Sequence, residues 1–373
     1  MKIALVSVDF PPNVGGVAAH VVELGKALAQ QDHDVHVVSI PSGSERALNS
    51  TLDGMQVHRP SIPKQKPIYS WMTHRWLQKF IHEENIDIVH VHGMRPLEAT
   101  KNLAAPIVFT NHTSGFLKRI KKGPAEHRKL AKRLSHVSHV LAPSQELVDA
   151  TLAVGYHGPV TFISNGVDTN RFTPGPATLR DEWDVQDDEV VILLARRLVE
   201  KNGVAVFAEA LTKLAGSGLK FRAVFAGDGA ERGAVTQILT RGKAIDSTVF
   251  LGNVMNESMP AIYRSADISV LPSFMEATSI TGLESMACGL PLVGTRVGGI
   301  PVLIDEESTG LLVEPGDPDG LAKAILRLAA DADMRREMGE RAQQRAAEQF
   351  SWDRIASETV AIYQQCSELR ASA

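Results

Sequence analysis

The chain has few cysteines and no long apolar run. Its 373 residues include 2 cysteines, Cys288 and Cys366, which lie far apart and lack the spacing of a metal site. This excludes a disulfide-stapled scaffold and favours a reducing compartment. No run of about 18 apolar residues occurs, so a membrane-spanning helix is excluded. The apolar stretch after Met1 is too short for a signal peptide and meets Asp9 at once. We therefore expect a cytoplasmic protein, with peripheral attachment to the inner face of the plasma membrane left open.

An excess of charge of one sign is also missing. The formal net charge is -4 at pH 7, and 22% of the residues are charged while 44% are hydrophobic. These values are near the average of globular proteins, so wholesale disorder is excluded and no attraction to nucleic acid is expected. A chain of this length exceeds one ordinary hydrophobic core, which predicts two domains.

A third absence is the GxGxxG fingerprint of dinucleotide-binding folds, which disfavours an oxidoreductase. The first predicted strand ends instead in a loop that contains Gly15 and Gly16 and leads into a helix. Two adjacent glycines allow positive φ and close approach of a ligand to the backbone at a helix N-terminus. The loop is either a plain strand-to-helix turn or a site for an anion or a sugar hydroxyl.

Short apolar runs alternate with amphipathic helical patterns along the chain. This alternation predicts an α/β fold with two doubly wound parallel sheets, each covered by helices on both faces, and a cleft between the two domains. In sheets of this kind, loops at the carboxyl ends of the strands carry the chemistry. The predicted strands are 3–7, 35–39, 86–90, 107–110 and 137–142 in the first half, and 190–195, 221–226, 249–251, 268–271 and 291–294 in the second.

The alternation pauses over residues 165–188, where glycine, proline and acidic residues break the apolar rhythm. We interpret this segment as a linker. The acidic pair Asp187 and Asp188 precedes a strand and is interpreted as a solvated turn rather than a metal site. The last helix, predicted at about 353–369, has a stripe of apolar residues and is expected to dock on a domain.

Two further loops carry candidate residues at predicted strand ends. His112 follows the fourth strand, where it is either a structural histidine or a residue of the cleft. Gly227 lies in a glycine turn after the strand 221–226, and its backbone is expected to line a nucleotide site.

The segment 118–133 is strongly basic, with Glu126 as its one acidic residue. Lys118 and Arg119 begin it, and its apolar side consists of Leu117, Ile120, Leu130 and Leu134. The segment is either a solvated helix face or an attachment site for anionic lipid headgroups or a phosphate-bearing acceptor, at about 1 kcal/mol per basic residue near a charged membrane.

The first strand of the second domain runs into Arg196, Arg197 and Lys201. Cations at the carboxyl end of a strand suit a diphosphate, because the guanidinium matches two phosphate oxygens and the ammonium acts as a point charge. Preorganised charge of this kind stabilises a leaving group.

The loop after the strand 268–271 holds Glu276, and Glu284 lies about one turn into the helix that follows. Exposed amides at Ser279, Ile280 and Thr281 would face a diphosphate at the start of that helix. Each carboxylate can accept hydrogen bonds from a pair of hydroxyl groups.

These residues resemble those of glycosyltransferase family 4. Glu276 and Glu284 are separated by seven residues and followed by Ser-Met-Ala-Cys-Gly-Leu-Pro, which is similar to the E-x7-E element of these retaining, two-domain GT-B enzymes. The resemblance covers nearly the whole chain. It implies an acceptor-binding domain at 1–172, onto which the helix at about 352–373 packs back, and a donor-binding domain at 173–351. The other matching segments are 11–17, 165–168 with Phe172, Arg196 with Lys201, and 350–352.

The resemblance also implies residue roles. Arg196 and Lys201 would bind the donor diphosphate and stabilise the leaving nucleotide, while Glu276 would bind sugar hydroxyls and Glu284 the ribose. His112, together with Gly15, Lys118 and Arg119, would serve the acceptor, and His112 would lie near the transferred sugar. Gly16 would approach the phosphates, and Gly227, Ser279, Ile280 and Thr281 would complete the donor site.

The resemblance implies retaining transfer of a hexose from a UDP- or GDP-sugar to a glycan, lipid-linked or small-molecule acceptor, and we expect this reaction to serve bacterial envelope or exopolysaccharide synthesis. No metal and no other cofactor are expected, because Arg196 and Lys201 supply the positive charge. Nucleotide-sugar epimerisation, phosphorolysis and a non-catalytic nucleotide-sugar-binding subunit are the alternatives. The family often has Gly-Phe-Gly after the first glutamate, where this chain has Ala277-Thr278-Ser279, so we expect donor choice to be set there.

Overall fold

A computed structural model describes residues 1–12, 15–40, 48–63, 65, 68–112 and 114–371. The chain divides into two compact units. The first comprises Met1–Gly166 with Trp352–Ala373, and the second comprises Val167–Ser351.

The described residues of the first unit form an eight-stranded sheet with the order β3-β4-β2-β1-β5-β6-β7-β8. The ladders are parallel except for β3, which runs antiparallel to β4. β1 lies at the centre, where Ile3 pairs with Val35 of β2 and with Ile88 of β5. Its residues after Lys2 are buried, as expected for a parallel strand covered on both faces. The strands are β1 Lys2–Ser7, β2 Asp34–Ser39, β3 Leu48–Leu52, β4 Met55–Arg59, β5 Ile88–His92, β6 Ile107–Thr110, β7 His139–Ala142 and β8 Val160–Phe162.

Helices cover this sheet, and the last helix of the chain is one of them. Trp352, Ile355 and Tyr363 of that helix are buried in the same core as Ile3 and Leu24. The predicted docking of the terminal apolar stripe is therefore confirmed. The helices of the first unit that precede the second are α1 Gly16–Gln30, α2 Ile68–Glu84, α3 Met94–Leu97, α4 Ser114–Ile120, α5 Pro124–Leu134 and α6 Gln145–Ala153.

The described residues of the second unit form a six-stranded parallel sheet with the order β11-β10-β9-β12-β13-β14. All six residues of its central strand β9, Val-Val-Ile-Leu-Leu-Ala, are buried. The strands are β9 Val190–Ala195, β10 Phe221–Ala226, β11 Thr248–Gly252, β12 Ile268–Leu271, β13 Leu292–Thr295 and β14 Gly310–Val313. The helices are α7 Val204–Ser217, α8 Arg232–Arg241, α9 Met259–Arg264, α10 Ile280–Ala287, α11 Ile300–Leu303, α12 Pro318–Ala330 and α13 Ala332–Phe350, and α14 Trp352–Ala371 returns to the first unit.

The predicted pair of doubly wound parallel sheets is confirmed, with differences at the strand level. The strand predicted at 86–90 lies two residues later, as β5. Strands β3, β4, β8 and β14 were not predicted. β3 is exposed along most of its length, and β8 has three residues, all half-buried, so neither has a run of buried apolar residues to reveal it.

The boundary between the units lies a few residues before the predicted one at 172. Val167 donates its N–H to the carbonyl of Phe350, and both Val167 and Phe172 are buried in the core of the second unit. Trp183 of the predicted linker is buried in that core as well. Segment 165–188 is irregular, as predicted, but its apolar side chains pack as part of the second unit.

Within the described residues, no helix combines the length and the apolar character that crossing a membrane requires.

Candidate functional site

The second unit gathers its candidate residues at the carboxyl ends of β9 and β12. Arg196 follows the last residue of β9, and Glu276 lies in the loop that leaves β12. The backbone N–H of Phe274 donates to the carbonyl of Lys201 at 2.9 Å, which ties the loop after β9 to the loop after β12. Because β9 and β12 are neighbours in the sheet, residues about 80 positions apart meet at one edge.

Arg196 is the centre of this group. Its guanidinium forms an ion pair with Glu276, and the two side chains are 10% and 14% exposed. Nη1 also donates to Oγ of Ser279 at 3.4 Å, and Nη2 donates to Oδ1 of Asn202 at 3.4 Å. Asn202 is buried and donates in turn to the carbonyl of Arg197 at 2.8 Å. The guanidinium is thus held in a fixed plane by three side chains.

The other two cations have different surroundings. The side chains of Lys201 and Arg197 are exposed, and neither forms an ion pair within the described part of the chain. Arg196 is the arginine that points toward Glu276 and Ser279. The structure therefore separates the two adjacent arginines, with Arg196 inside the group and Arg197 at its outer side.

Helix α10 begins as predicted. Ser279 is its N-cap residue, and its Oγ accepts from the N–H of Gly282 at 3.3 Å and lies 3.3 Å from Oγ1 of Thr281. Ile280 and Thr281 form the half-buried first turn. The first amides of a helix lack intrahelical acceptors, so this turn presents donors and the positive end of the helix dipole.

Glu284 lies on the second turn of α10 and is 8% exposed. Its Oε2 accepts a hydrogen bond from the hydroxyl of Tyr263 at 2.7 Å. Glu276 and Glu284 therefore have different partners, a cation for the first and a phenol for the second.

The loop that carries Glu276 rests on two glycines. Gly298 has φ +53°, and a Cβ there would lie 1.6 Å from the carbonyl oxygen of Glu276. The N–H of Gly299 donates to that same carbonyl at 3.2 Å. Any side chain at residue 298 would displace the Glu276 loop, so these glycines fix its position.

Gly227 has a structural requirement that the sequence did not reveal. Its φ is +149°, and a Cβ would lie 2.1 Å from the carbonyl oxygen of Arg196. The glycine is needed for β10 to end close to Arg196. Its predicted contact with a nucleotide stays a prediction.

In the first unit, Gly15 and Gly16 lie at the start of α1, while Asn13 and Val14 of the same loop lie outside the described residues. The positive φ that glycine permits is not used at Gly15, whose φ of 168° is extended. A Cβ at either position would meet no described heavy atom within 4 Å. The absence of side chains here leaves open space, as the predicted approach of a ligand requires.

His112 follows β6 as predicted and belongs to a cluster of four histidines. Its Nε2 lies 2.9 Å from Nδ1 of His92, and its ring lies edge-on to the ring of His20 at 4.5 Å between centroids. Nδ1 of His20 lies 2.9 Å from Oδ1 of Asn165. The fourth member, His90, lies 4.1 Å from His92 between ring centroids, with its nitrogens 2.6 Å from the hydroxyls of Thr110 and Tyr363.

These imidazoles are neutral at physiological pH. Burial lowers the pKa of His20 to about 4, against the opposing hydrogen bond from Asn165. Burial, followed by the neighbouring histidines, holds the pKa values of His90, His92 and His112 well below the usual range. A neutral imidazole ring can donate one hydrogen bond to a hydroxyl group and accept another from one. His20, His92 and His112 each offer a nitrogen within 4.8 Å of the others, which makes them the one candidate metal-ligand group among the described residues.

The basic segment differs from the prediction in two respects. On its apolar side, Leu130 and Leu134 are fully buried, whereas Leu117 and Ile120 are half-buried. Arg119, a predicted acceptor-binding residue, donates from Nε to Oε1 of Glu126 at 2.6 Å, and Arg133 is paired with Glu98. The guanidinium of Arg119 thereby holds the pKa of Glu126 below its usual value. Lys118 is exposed, and so are Lys121, Lys122, Arg128 and Lys132, which carry the available charge of the segment.

Five functional candidates escaped the sequence analysis, and for all of them except Asn202 the partners are distant along the chain. His20 and His92 follow no local motif, and Tyr263 lies in a short helix far from Glu284. Asn202 stands beside Lys201, where its neighbours gave a weak signal. A Gly-Gly pair after a predicted strand was the available sign of Gly298.

Comparisons with known proteins identify the family and the fold of the chain. Residues 177–345 match the family model for group 1 glycosyl transferases, and residues 14–171 match that for glycosyltransferase family 4. The chain is 30% identical to the D-inositol 3-phosphate glycosyltransferase of Saccharomonospora viridis, over 75% of this chain and 70% of that protein. It is 28% identical to the N-acetyl-alpha-D-glucosaminyl L-malate synthase of Bacillus anthracis, over 94% of each. The structure of Anabaena HepE with UDP and glucose matches 100% of both chains with a TM-score of 0.77 and 22% identity, in agreement with the GT-B fold.

Proposed function

Because this chain belongs to the group 1 glycosyltransferases of family 4, we propose that it transfers a hexose from a UDP- or GDP-sugar to its acceptor with retention of configuration. The observation that carries the donor assignment is the group at the ends of β9 and β12. There Arg196 lies within hydrogen-bonding distance of both Ser279 and Glu276, and exposed Lys201 lies on the same edge. Anabaena HepE, which has the same fold, was solved with UDP and glucose.

The diphosphate is proposed to bind between the two cations and the start of α10. Arg196 offers a planar pair of donors, Lys201 a mobile point charge, and α10 its first-turn amides. Negative charge grows on the diphosphate as the sugar leaves, so these fixed donors stabilise the transition state more than the bound donor. Lys201 has no carboxylate partner within the described residues, which leaves its full charge for the phosphates.

Glu276 is proposed to bind hydroxyls of the transferred sugar, and Glu284 those of the ribose. In the free protein, Glu276 and Arg196 neutralise each other. A bound nucleotide sugar would break this ion pair and give each residue a new partner, because its diphosphate would bind Arg196 and its sugar would bind Glu276. A nucleoside diphosphate without a sugar would bind Arg196 and leave the Glu276 carboxylate without a partner. The ion pair therefore couples recognition of the diphosphate to recognition of the sugar.

We propose a reaction without a covalent enzyme intermediate. The acceptor oxygen attacks the anomeric carbon on the face from which the diphosphate leaves, the bond to the diphosphate oxygen breaks, and a phosphate oxygen takes the acceptor proton. Glu276 is engaged by a guanidinium, which suits a carboxylate that binds and does not act as a nucleophile. The neutral ring of His112, in the first unit, is proposed to bind hydroxyl groups of the acceptor and the sugar.

The acceptor is proposed to carry an anionic group. The exposed lysines of 118–133 favour such an acceptor, and the names of the two relatives refer to inositol phosphate and to malate, both anionic. A lipid-linked or glycan acceptor of the bacterial envelope, met by a peripheral cytoplasmic enzyme, satisfies the same requirement of charge.

The experiment that tests this function is a donor-consumption assay with UDP- and GDP-sugars, with and without candidate acceptors. Turnover that needs an acceptor, with the anomeric configuration of the donor kept in the product by NMR, supports the proposal. Donor turnover without an acceptor indicates epimerisation, and phosphate-dependent turnover indicates phosphorolysis. Binding without turnover across a broad acceptor panel indicates a non-catalytic subunit.

The proposal also requires no metal, since Arg196 and Lys201 supply the charge that a divalent cation would bring. Rates should therefore be unchanged after exhaustive treatment with EDTA. A loss of activity that Zn²⁺ or Mg²⁺ restores would contradict this part of the proposal. His20, His92 and His112 would then be the first residues to replace.

A further inference from the structure

A buried phenol holds one oxygen of Glu284. The hydroxyl of Tyr263 donates to Oε2 at 2.7 Å, and the two residues are 21 positions apart, on α9 and α10. Resting on the function proposed above, we propose that Tyr263 is a positioning residue of the donor site. Its hydroxyl orients the Glu284 carboxylate to accept hydrogen bonds from the ribose hydroxyls of the nucleotide.

The phenol has a fixed direction because its ring is part of the core. Tyr263 has no exposed surface and packs edge-on against Phe172, with 5.9 Å between ring centroids and 67° between ring planes. The terminal torsion of a glutamate is broad, so the carboxylate alone would rotate over a wide range. The Tyr263 hydroxyl, a hydrogen-bond donor fixed in the core, restricts that rotation. The carboxylate then loses less rotational freedom when a ribose binds.

The proton needed for this role stays on the phenol. Burial and then the neighbouring Glu284 carboxylate raise the pKa of Tyr263 well above its usual value. The hydroxyl is therefore a donor and the carboxylate an acceptor throughout the physiological range. A charge-assisted bond of this kind is among the stronger hydrogen bonds in proteins.

The position of the pair indicates a role beyond packing. Tyr263 is fully enclosed while Glu284 keeps 8% of its surface exposed, so the carboxylate is the end that a ligand can reach. Arg196 donates to Ser279, the N-cap residue of the helix α10 that carries Glu284, so the pair lies near the cation assigned to the diphosphate. A ribose joined to that diphosphate would lie within reach of the same end of α10.

The test is the affinity of Tyr263→Phe for nucleotides with and without ribose hydroxyls. UDP and GDP, and the 2′,3′-dideoxy forms of both, are titrated by calorimetry against the parent and the variant. Of UDP and GDP, we consider the one that the parent binds more tightly. We expect Tyr263→Phe to bind that nucleotide about tenfold more weakly than the parent does, equivalent to roughly 1.4 kcal/mol. Its affinity for the dideoxy form should change by less than about twofold, because no ribose hydroxyl remains to be positioned. In turnover assays the donor KM should rise while kcat stays within about twofold.

Two control variants separate positioning from stability. Tyr156→Phe removes a buried hydroxyl that donates to the carbonyl of Val137 in the first unit, at 3.0 Å. Ser269→Ala removes a hydrogen bond to Ser285 at 2.8 Å, within the second unit. Both variants should bind UDP and GDP as the parent does, whatever the loss of melting temperature that each shares with Tyr263→Phe.

An equal loss of affinity for the ribose and dideoxy nucleotides would overturn the inference, since it would show a general effect on folding. Unchanged affinity for both would overturn it too. A parent that binds neither UDP nor GDP would overturn the proposed function itself, and with it this assignment. The two failures are therefore distinguishable by the behaviour of the parent.

Discussion

Acid should destabilise the first unit through His20, and the effect is large enough to measure. The ring is 4% exposed and its pKa falls from 6.5 to about 4 on folding. Between these two values the unfolded chain holds more protons than the folded one, so the free energy of unfolding decreases as the pH falls. The difference between these two pKa values corresponds to about 3 kcal/mol of stability. Going from pH 7.5 to pH 5 removes about 2 kcal/mol of it.

Hydrogen exchange in peptides from β1 and β5 measures this loss in the unit concerned, because these strands form the centre of its sheet. The variant His20→Gln has no titrating ring, so its opening free energy should fall by about 2 kcal/mol less than that of the parent between the two pH values. The same substitution at His82, an exposed histidine of α2, is the matched control.

A parent with the same opening free energy at both pH values would refute the reasoning. So would a His20→Gln variant that loses as much stability as the parent. That second result would assign the acid sensitivity to other members of the cluster, such as His90 and His92, whose pKa values are also lowered by burial.

Three further predictions concern the proposed reaction. Lys201→Ala should lower kcat about 100-fold, roughly 3 kcal/mol, with little loss of folding stability because the side chain is exposed. A near-normal rate would show that Lys201 does not stabilise the leaving diphosphate. Glu276→Gln should bind the nucleoside diphosphate severalfold more tightly and the nucleotide sugar more weakly, because Arg196 no longer has an ion pair to break. A parallel change in both affinities would contradict the proposed replacement of this ion pair by contacts to the donor. Reversing the lysine charges of 118–122 should weaken binding to phosphatidylserine vesicles, and 0.5 M salt should abolish parent binding, whereas salt-resistant binding would indicate apolar insertion.

The sequence was sufficient for the fold because each buried parallel strand is a continuous apolar run. All six residues of β9 are buried, and its ends were predicted to the residue. β3 reads Leu-Asn-Ser-Thr-Leu and is exposed along most of its length at the sheet edge. An edge strand of this kind is held by its ladder to β4 more than by burial, so composition alone does not distinguish it from a loop.

The candidate site was predictable where a local pattern places a residue at a strand end or helix start. Glu276, Glu284 and Ser279 were located in this way, and α10 begins where predicted. Contacts between loops are a different matter. Arg196 and Glu276 are 80 positions apart, and only the adjacency of β9 with β12 brings them together. The histidine cluster likewise depends on the neighbouring positions of β5 and β6.

Glycine shows why a ligand site and a packing requirement look alike in sequence. Gly227 and Gly298 both follow strands near the donor residues, and a Cβ at either would strike a backbone carbonyl, that of Arg196 or of Glu276. The fold itself therefore requires these two glycines. Gly15 and Gly16 meet no described atom, so the fold gives no reason for the missing side chains. Alanine at Gly16 should therefore cost little stability, and if a ligand approaches the backbone there as predicted, it should impair turnover more than stability.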